Sequence, residues 1–115
     1  MDLDVDLIEN VAFGLQRESH LDLGNNRLFV EAMKPIIEVH LKIVVDMSNI
    51  MFLDSSGLGS IMLCSRRIKS AGGQLKLCGL TESVWALFEL VRMNRVFDIY
   101  ESREAVLNSF ASDAP

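Results

Sequence analysis

Asp54-Ser55-Ser56-Gly57 puts a carboxylate and two hydroxyls side by side, where a short apolar run gives way to helical spacing. These residue types suit several kinds of chemistry. Asp and Ser oxygens accept hydrogen bonds from the unpaired N–H groups of a first helical turn, so either can cap a helix. A hydroxyl at that end can also carry a phosphate, because the positive end of a helix stabilises an anion. A serine can act as a nucleophile, and His20 and Asp22 supply the types of a base and its orienter. His20 and Asp22 alternate along an extended loop and are expected to point apart. The residues around Ser55 do not spell the G-x-S-x-G elbow, and no Gly-Lys-Ser/Thr closes a phosphate loop. From spacing alone, capping and phosphate acceptance both stand for Ser55.

The elements around this motif follow from periodicity. Residues 41–46 are short, β-branched and apolar, as in a buried strand. Residues 58–71 carry Leu58, Ile61, Cys64 and Ile68 at helical spacing, and Gly72-Gly73 stops that helix. With those four inward, Gly59, Ser60, Leu63, Arg66 and Arg67 are expected to face outward. Upstream, residues 3–7 alternate as a half-exposed strand, Glu9-Asn10 turns, and residues 11–15 form a second strand in which Gly14 marks a bulge or weak point. A helix follows with Asn25 or Asn26 as its cap; Pro35 kinks its last turn or ends it early. Downstream come a strand at 74–79, a helix capped around Thr81-Glu82-Ser83, a strand at 96–100 and a helix after Ser102. Trp85, Phe88 and Met93 read as core or edge packing.

The predicted order is β-β-α-β-α-β-α-β-α: a single α/β domain with a mixed sheet of four to five strands and about four helices, mostly on one side. The domain is expected over residues 1–110, with a frayed tail over 111–115. In such sheets, sites lie beyond the carboxyl ends of the strands, which is where the serine motif falls.

Composition narrows the function classes. The net charge of the 115 residues is −5, which argues against direct nucleic-acid binding. Arg66, Arg67 and Lys69, the one basic cluster, sit where cations suit a helix C-terminus. No apolar run reaches the roughly 20 residues of a membrane helix, and the acidic, alternating start is unlike a signal peptide. A cytoplasmic protein without membrane contact is expected. Cys64 and Cys78 are too few and too far apart for a zinc motif and read as small buried hydrophobes. His20 and His40 lack companions at ligand spacing. No metal, cofactor or catalytic centre is expected.

The chain resembles the STAS domain of bacterial anti-sigma factor antagonists. The resemblance rests on Val45-Asp46-Met47-Ser48, on Phe52-Leu53-Asp54-Ser55-Ser56-Gly57-Leu58-Gly59, on Ala71-Gly72-Gly73 and on Leu21-Asp22. Where the family usually has Gly two positions before that Leu-Asp pair, this chain has Ser19. The resemblance implies that Ser55 is the phosphoacceptor of an anti-sigma factor that is also a serine kinase, that a serine phosphatase resets it, and that only the unphosphorylated form binds the kinase and frees a sigma factor. It makes Asp22, Asp54, Ser56, Gly57, Gly59, Ser60 and Leu63 the expected partner-binding surface. Of these, Asp54 also reads as a cap and Asp22 as a turn former. Gly57 and Gly59 each weaken a helix by about 1 kcal/mol relative to Ala, which close approach of another backbone would offset. Two other uses of the same domain remain open: the STAS-like subunit of a lipid-transport ATPase, and a scaffold in a stress-signalling assembly.

Overall fold

The chain begins with a hairpin. β1 (Leu3–Ile8) and β2 (Val11–Gln16) pair antiparallel, with Ile8 opposite Val11. The two turn residues, Glu9 and Asn10, have φ of 50° and 70°, the backbone twist that two-residue hairpins favour. The computed structural model describes residues 1–113. After the hairpin come β3 (His20–Leu21), α1 (Asn26–Val39), β4 (Lys42–Asp46), β5 (Phe52–Leu53) and α2 (Ser55–Ser70). Next are β6 (Gln74–Cys78), α3 (Glu82–Leu90), a 3₁₀ turn (Met93–Arg95), β7 (Ile99–Tyr100) and α4 (Arg103–Asp113). The frayed tail expected from Ala111 falls partly on residues 114 and 115, outside the described residues; residues 111–113 continue α4.

The main sheet has five strands in the order β1-β2-β4-β6-β7, and β3 pairs with β5 in a separate two-stranded sheet. Only β1 runs antiparallel. The three successive crossovers carry α1, α2 and α3 over one face, as right-handed connections require. On that face Ala12, Ile43, Val45, Leu75 and Leu77 meet Phe29, Met33 and Ile36 of α1, Leu58, Ile61, Cys64 and Ile68 of α2, and Val84 and Phe88 of α3. On the opposite face Val11, Phe13, Val44 and Cys78 meet Val106 and Phe110 of α4. The central strands are thus buried on both sides, which is why they read as continuous apolar runs. Each fully buried aliphatic or aromatic side chain contributes about 1.5–3 kcal/mol.

Three local expectations change. Gly14 makes no bulge: it pairs regularly with Val5 and Val45, and Met33, Ile36 and Leu3 fill the space above it. Pro35 does not end α1, which continues to Val39; buried Ile36 anchors the last turn, and the His40 N–H donates to the Ile36 carbonyl at 3.0 Å. The strand expected over residues 96–100 shortens to β7, because Phe97 turns into the core against Phe88, ring centroids 6.0 Å apart. The stop after α2 is as read: Gly72, with φ of 86°, and Gly73 donate back to the Lys69 and Ile68 carbonyls, the double closure of a Schellman motif.

Candidate functional site

The serine motif sits at the carboxyl end of the main sheet, between β5 and α2. Asp54 is the N-cap of α2, and its two oxygens do different work. One accepts the Gly57 N–H at 2.9 Å; the other accepts the Leu23 N–H at 3.1 Å, from the loop after β3. The Gly57 donor, helped by Leu23 against a desolvation cost, holds the Asp54 carboxyl below its usual pKa. With Asp54 as the cap, Ser55 is left as the first residue of the helix. Ser55 is exposed, and among the described residues its hydroxyl makes no hydrogen bond to protein. The Ser60 hydroxyl, by contrast, donates to the Gly57 carbonyl at 2.6 Å. The capping role goes to Asp54, and the Ser55 hydroxyl is uncommitted.

Gly57 has a reason internal to the chain. It is buried, and a Cβ there would collide with the Leu21 carbonyl oxygen and stand 2.8 Å from Leu53 Cδ1. The β3–β5 pair therefore lies directly against the first turn of α2. Gly59 differs: it is exposed, with nothing within 4 Å of a Cβ built on it. Among the described residues no close approach accounts for it.

The loop beside the motif is built by side chains acting on backbone. Asn25 accepts the Asp22 N–H and donates to the His20 carbonyl. Gln16 donates to the Glu18 and His20 carbonyls. Asp22 accepts the Gly24 N–H at 2.9 Å, as a turn former does. Its other oxygen lies 3.2 Å from His20 Nδ1. This corrects the expectation that the two side chains point apart: residues two apart on an extended chain share a face. Among the described residues no hydrogen bond joins His20 to Ser55.

A groove of about 420 Å³ runs between α1 and α2 beside the motif, lined by Arg27, Val30, Glu31, Ser56, Gly59 and Leu63 among others. Leu63 is partly exposed on its wall. Ser60 is a correction. It was expected outward but is only 4% exposed, because α1 packs along that side of α2 and widens the buried stripe. Gly57 is likewise buried. Both support the surface from beneath. Ser55, Ser56, Gly59, Leu63 and Asp22 stay accessible to differing degrees.

Sequence reasoning missed the apolar rim. Leu23 is 77% exposed on the loop tied to Asp54, and Phe52 is 57% exposed on β5, two residues before it. Met51, also exposed, donates its N–H to the Ser19 carbonyl. The signal was present in part: Leu23 follows buried Leu21 by two residues, yet lies beyond the end of β3, where no pairing turns it inward.

The STAS domain family profile matches residues 3–106. The anti-sigma-B factor antagonist of Bacillus subtilis is 25% identical over 105 residues, covering 90% of this chain and 96% of that protein. A STAS-domain anti-sigma-factor antagonist of Planctomyces limnophilus superposes with a TM-score of 0.87 at 16% identity, covering 96% of this chain and 99% of that one. The anti-sigma factor antagonist SpoIIAA, in its unphosphorylated form, superposes with a TM-score of 0.69 at 13% identity over 97% of this chain and 99% of that one.

Proposed function

The chain belongs to the STAS domain family, and on that premise we propose that it is an anti-sigma factor antagonist switched by phosphorylation of Ser55. The observation that carries the reading is the exposed, uncommitted Ser55 hydroxyl at the head of α2, with exposed Leu23 and Phe52 on the elements beside it. Apolar residues clustered around a polar centre suit a protein contact. In the proposed reaction Ser55 Oγ attacks the γ-phosphorus of ATP held by an anti-sigma factor serine kinase. The bond to the bridging oxygen of ADP breaks, and the serine proton passes to a kinase base. The product carries about −1.5 to −2 extra charge. Helix N–H groups tolerate that charge at the head of α2, so the fold persists while the same surface, crowded and charged, excludes the partner. A serine phosphatase then restores the binding form. Ser56, Gly59, Leu63 and Asp22 complete the proposed contact surface, with Asp54, Gly57 and Ser60 holding its shape. Function in the cytoplasm follows from the same reading.

The test is incubation with the cognate kinase and ATP, followed by mapping of the modified residue. Ser55→Ala should bind the anti-sigma factor, take up no phosphate and release the sigma factor constitutively. Ser55→Asp should bind poorly. Phosphate found only on Ser56, or on neither serine, would overturn the reading.

A further inference from the structure

A second cleft, of about 490 Å³, opens at the carboxyl ends of β6 and β7, lined by Leu80, Glu82, Trp85, Ile99, Tyr100 and Glu101. It shares no lining residue with the groove between α1 and α2. Its parts come from separate elements. Gly79, with φ of 70°, turns the chain out of β6, and Leu80 and Ile99 form apolar wall. Glu82 starts α3 and Glu101 follows β7. Among the described residues neither carboxylate is in an ion pair. Trp85 is 37% exposed from the second turn of α3.

We propose that this cleft binds a small organic cation, an ammonium group carried on a compact apolar body. Its volume is in the range of small-molecule sites, and such sites lie at the carboxyl ends of strands. Two unpaired carboxylates disfavour an anion and attract a cation. An aromatic face adds attraction for a cation within about 6 Å of the ring. Tyr100 already has a cation near it, with Lys76 Nζ 5.4 Å from its centroid, so Trp85 is the ring available to the ligand. The apolar walls select a weakly hydrated ammonium over a hydrated metal ion. The site adjoins the switch region through α3: the Thr81 and Ser83 hydroxyls donate to the Ile50 and Met51 carbonyls, on the segment leading into β5.

Trp85 is the single tryptophan of the chain, so its emission reports on the cleft directly. The full chain is titrated at low salt with choline and, in parallel, with 3,3-dimethyl-1-butanol, which has the same shape without the charge. Amide chemical shifts provide a second readout. Choline should shift the Trp85 emission saturably, with a dissociation constant of roughly millimolar order, and move the amides of Leu80, Ile99 and Tyr100. The neutral alcohol should bind at least tenfold more weakly. Glu82→Gln and Glu101→Gln should each weaken choline binding about two- to fivefold, with unchanged thermal melts showing that both fold. No saturable response in either readout would overturn the proposal, as would equal binding of the alcohol. Binding of an arginine-containing tripeptide without binding of choline would also overturn it, in favour of a cation borne by a protein.

Discussion

Gly57 and Gly59 stand two residues apart in one helix and should respond oppositely to the same methyl group. At Gly57 the new Cβ meets the backbone carbonyl of Leu21, which cannot move without displacing β3. Gly57→Ala should cost about 3 kcal/mol, the upper end of overpacking penalties, and lower the melting temperature by roughly 10 °C. At Gly59 the methyl enters open space, so Gly59→Ala should gain about 0.5–1 kcal/mol of helix stability. Circular dichroism melts of the two variants check both signs. If the exposed face around Gly59 is the docking surface, a larger residue there should weaken binding to the anti-sigma factor without unfolding the domain. Leu63 belongs to the same argument. It is partly exposed on the groove wall, so Leu63→Glu should cost about 1 kcal/mol or less in stability and far more in partner affinity, measured by calorimetry. A large fall in melting temperature would instead make Leu63 a packing residue.

Arg103, the first residue of α4, fastens that helix to the end of β4. Its Nε donates to Asp46 at 2.8 Å, a second nitrogen donates to Asp6 on β1 at 2.9 Å, and the guanidinium lies 4.9 Å from the Phe13 ring centroid. Burial opposes ionisation of Asp46, but the Arg103 and Ser48 donors together outweigh it, and its pKa falls below the usual value. A depressed folded-state pKa gives stability that is fully present above the unfolded value of about 3.9. That stability is lost as pH falls through the folded value. Urea unfolding at pH 7 and pH 3 should show the loss. Arg103→Leu should cost about 2 kcal/mol at pH 7, with a smaller penalty at pH 3. Elements of this length are also where the sequence was most legible. The buried strands and the apolar faces of α1 and α2 carry enough repeats for their period to be read. β3 and β5, at two residues each, carry none. The serine motif was legible as a loop-to-helix junction, with Asp or Ser as its cap. The bond from Leu23 to Asp54 was not, because it joins residues 31 apart in sequence and depends on β3 meeting β5. Ser60 was misread for a related reason: helical spacing defines one inward stripe, and a neighbouring helix can widen it.

At the scale of the whole molecule, two cores share one sheet, and each buries a cysteine: Cys64 on the sheet-facing side of α2 and Cys78 on β6 beneath α4. Burial pushes the Cys64 thiol up to about 11, against a small opposing pull from Arg67. Burial, reinforced by the Asp46 charge, pushes Cys78 up to about 12. Since the thiolate is the reactive form, neither should react with a disulfide reagent at pH 8 while the domain is folded, and both should react once it unfolds. Reaction of Cys78 alone would show that α4 opens independently of the rest. The course of α4 has one more consequence. It leaves the carboxyl end of β7 and runs back along the sheet until Phe110 lies beneath Lys42, at the start of β4, with 5.9 Å between ammonium and ring centroid. The Phe110 end of α4 therefore lies by the amino end of β4, at the opposite end of the sheet from the serine motif. A fluorophore or surface tether attached there would leave the serine pole unobstructed, so the domain could be immobilised or imaged while a binding partner comes and goes.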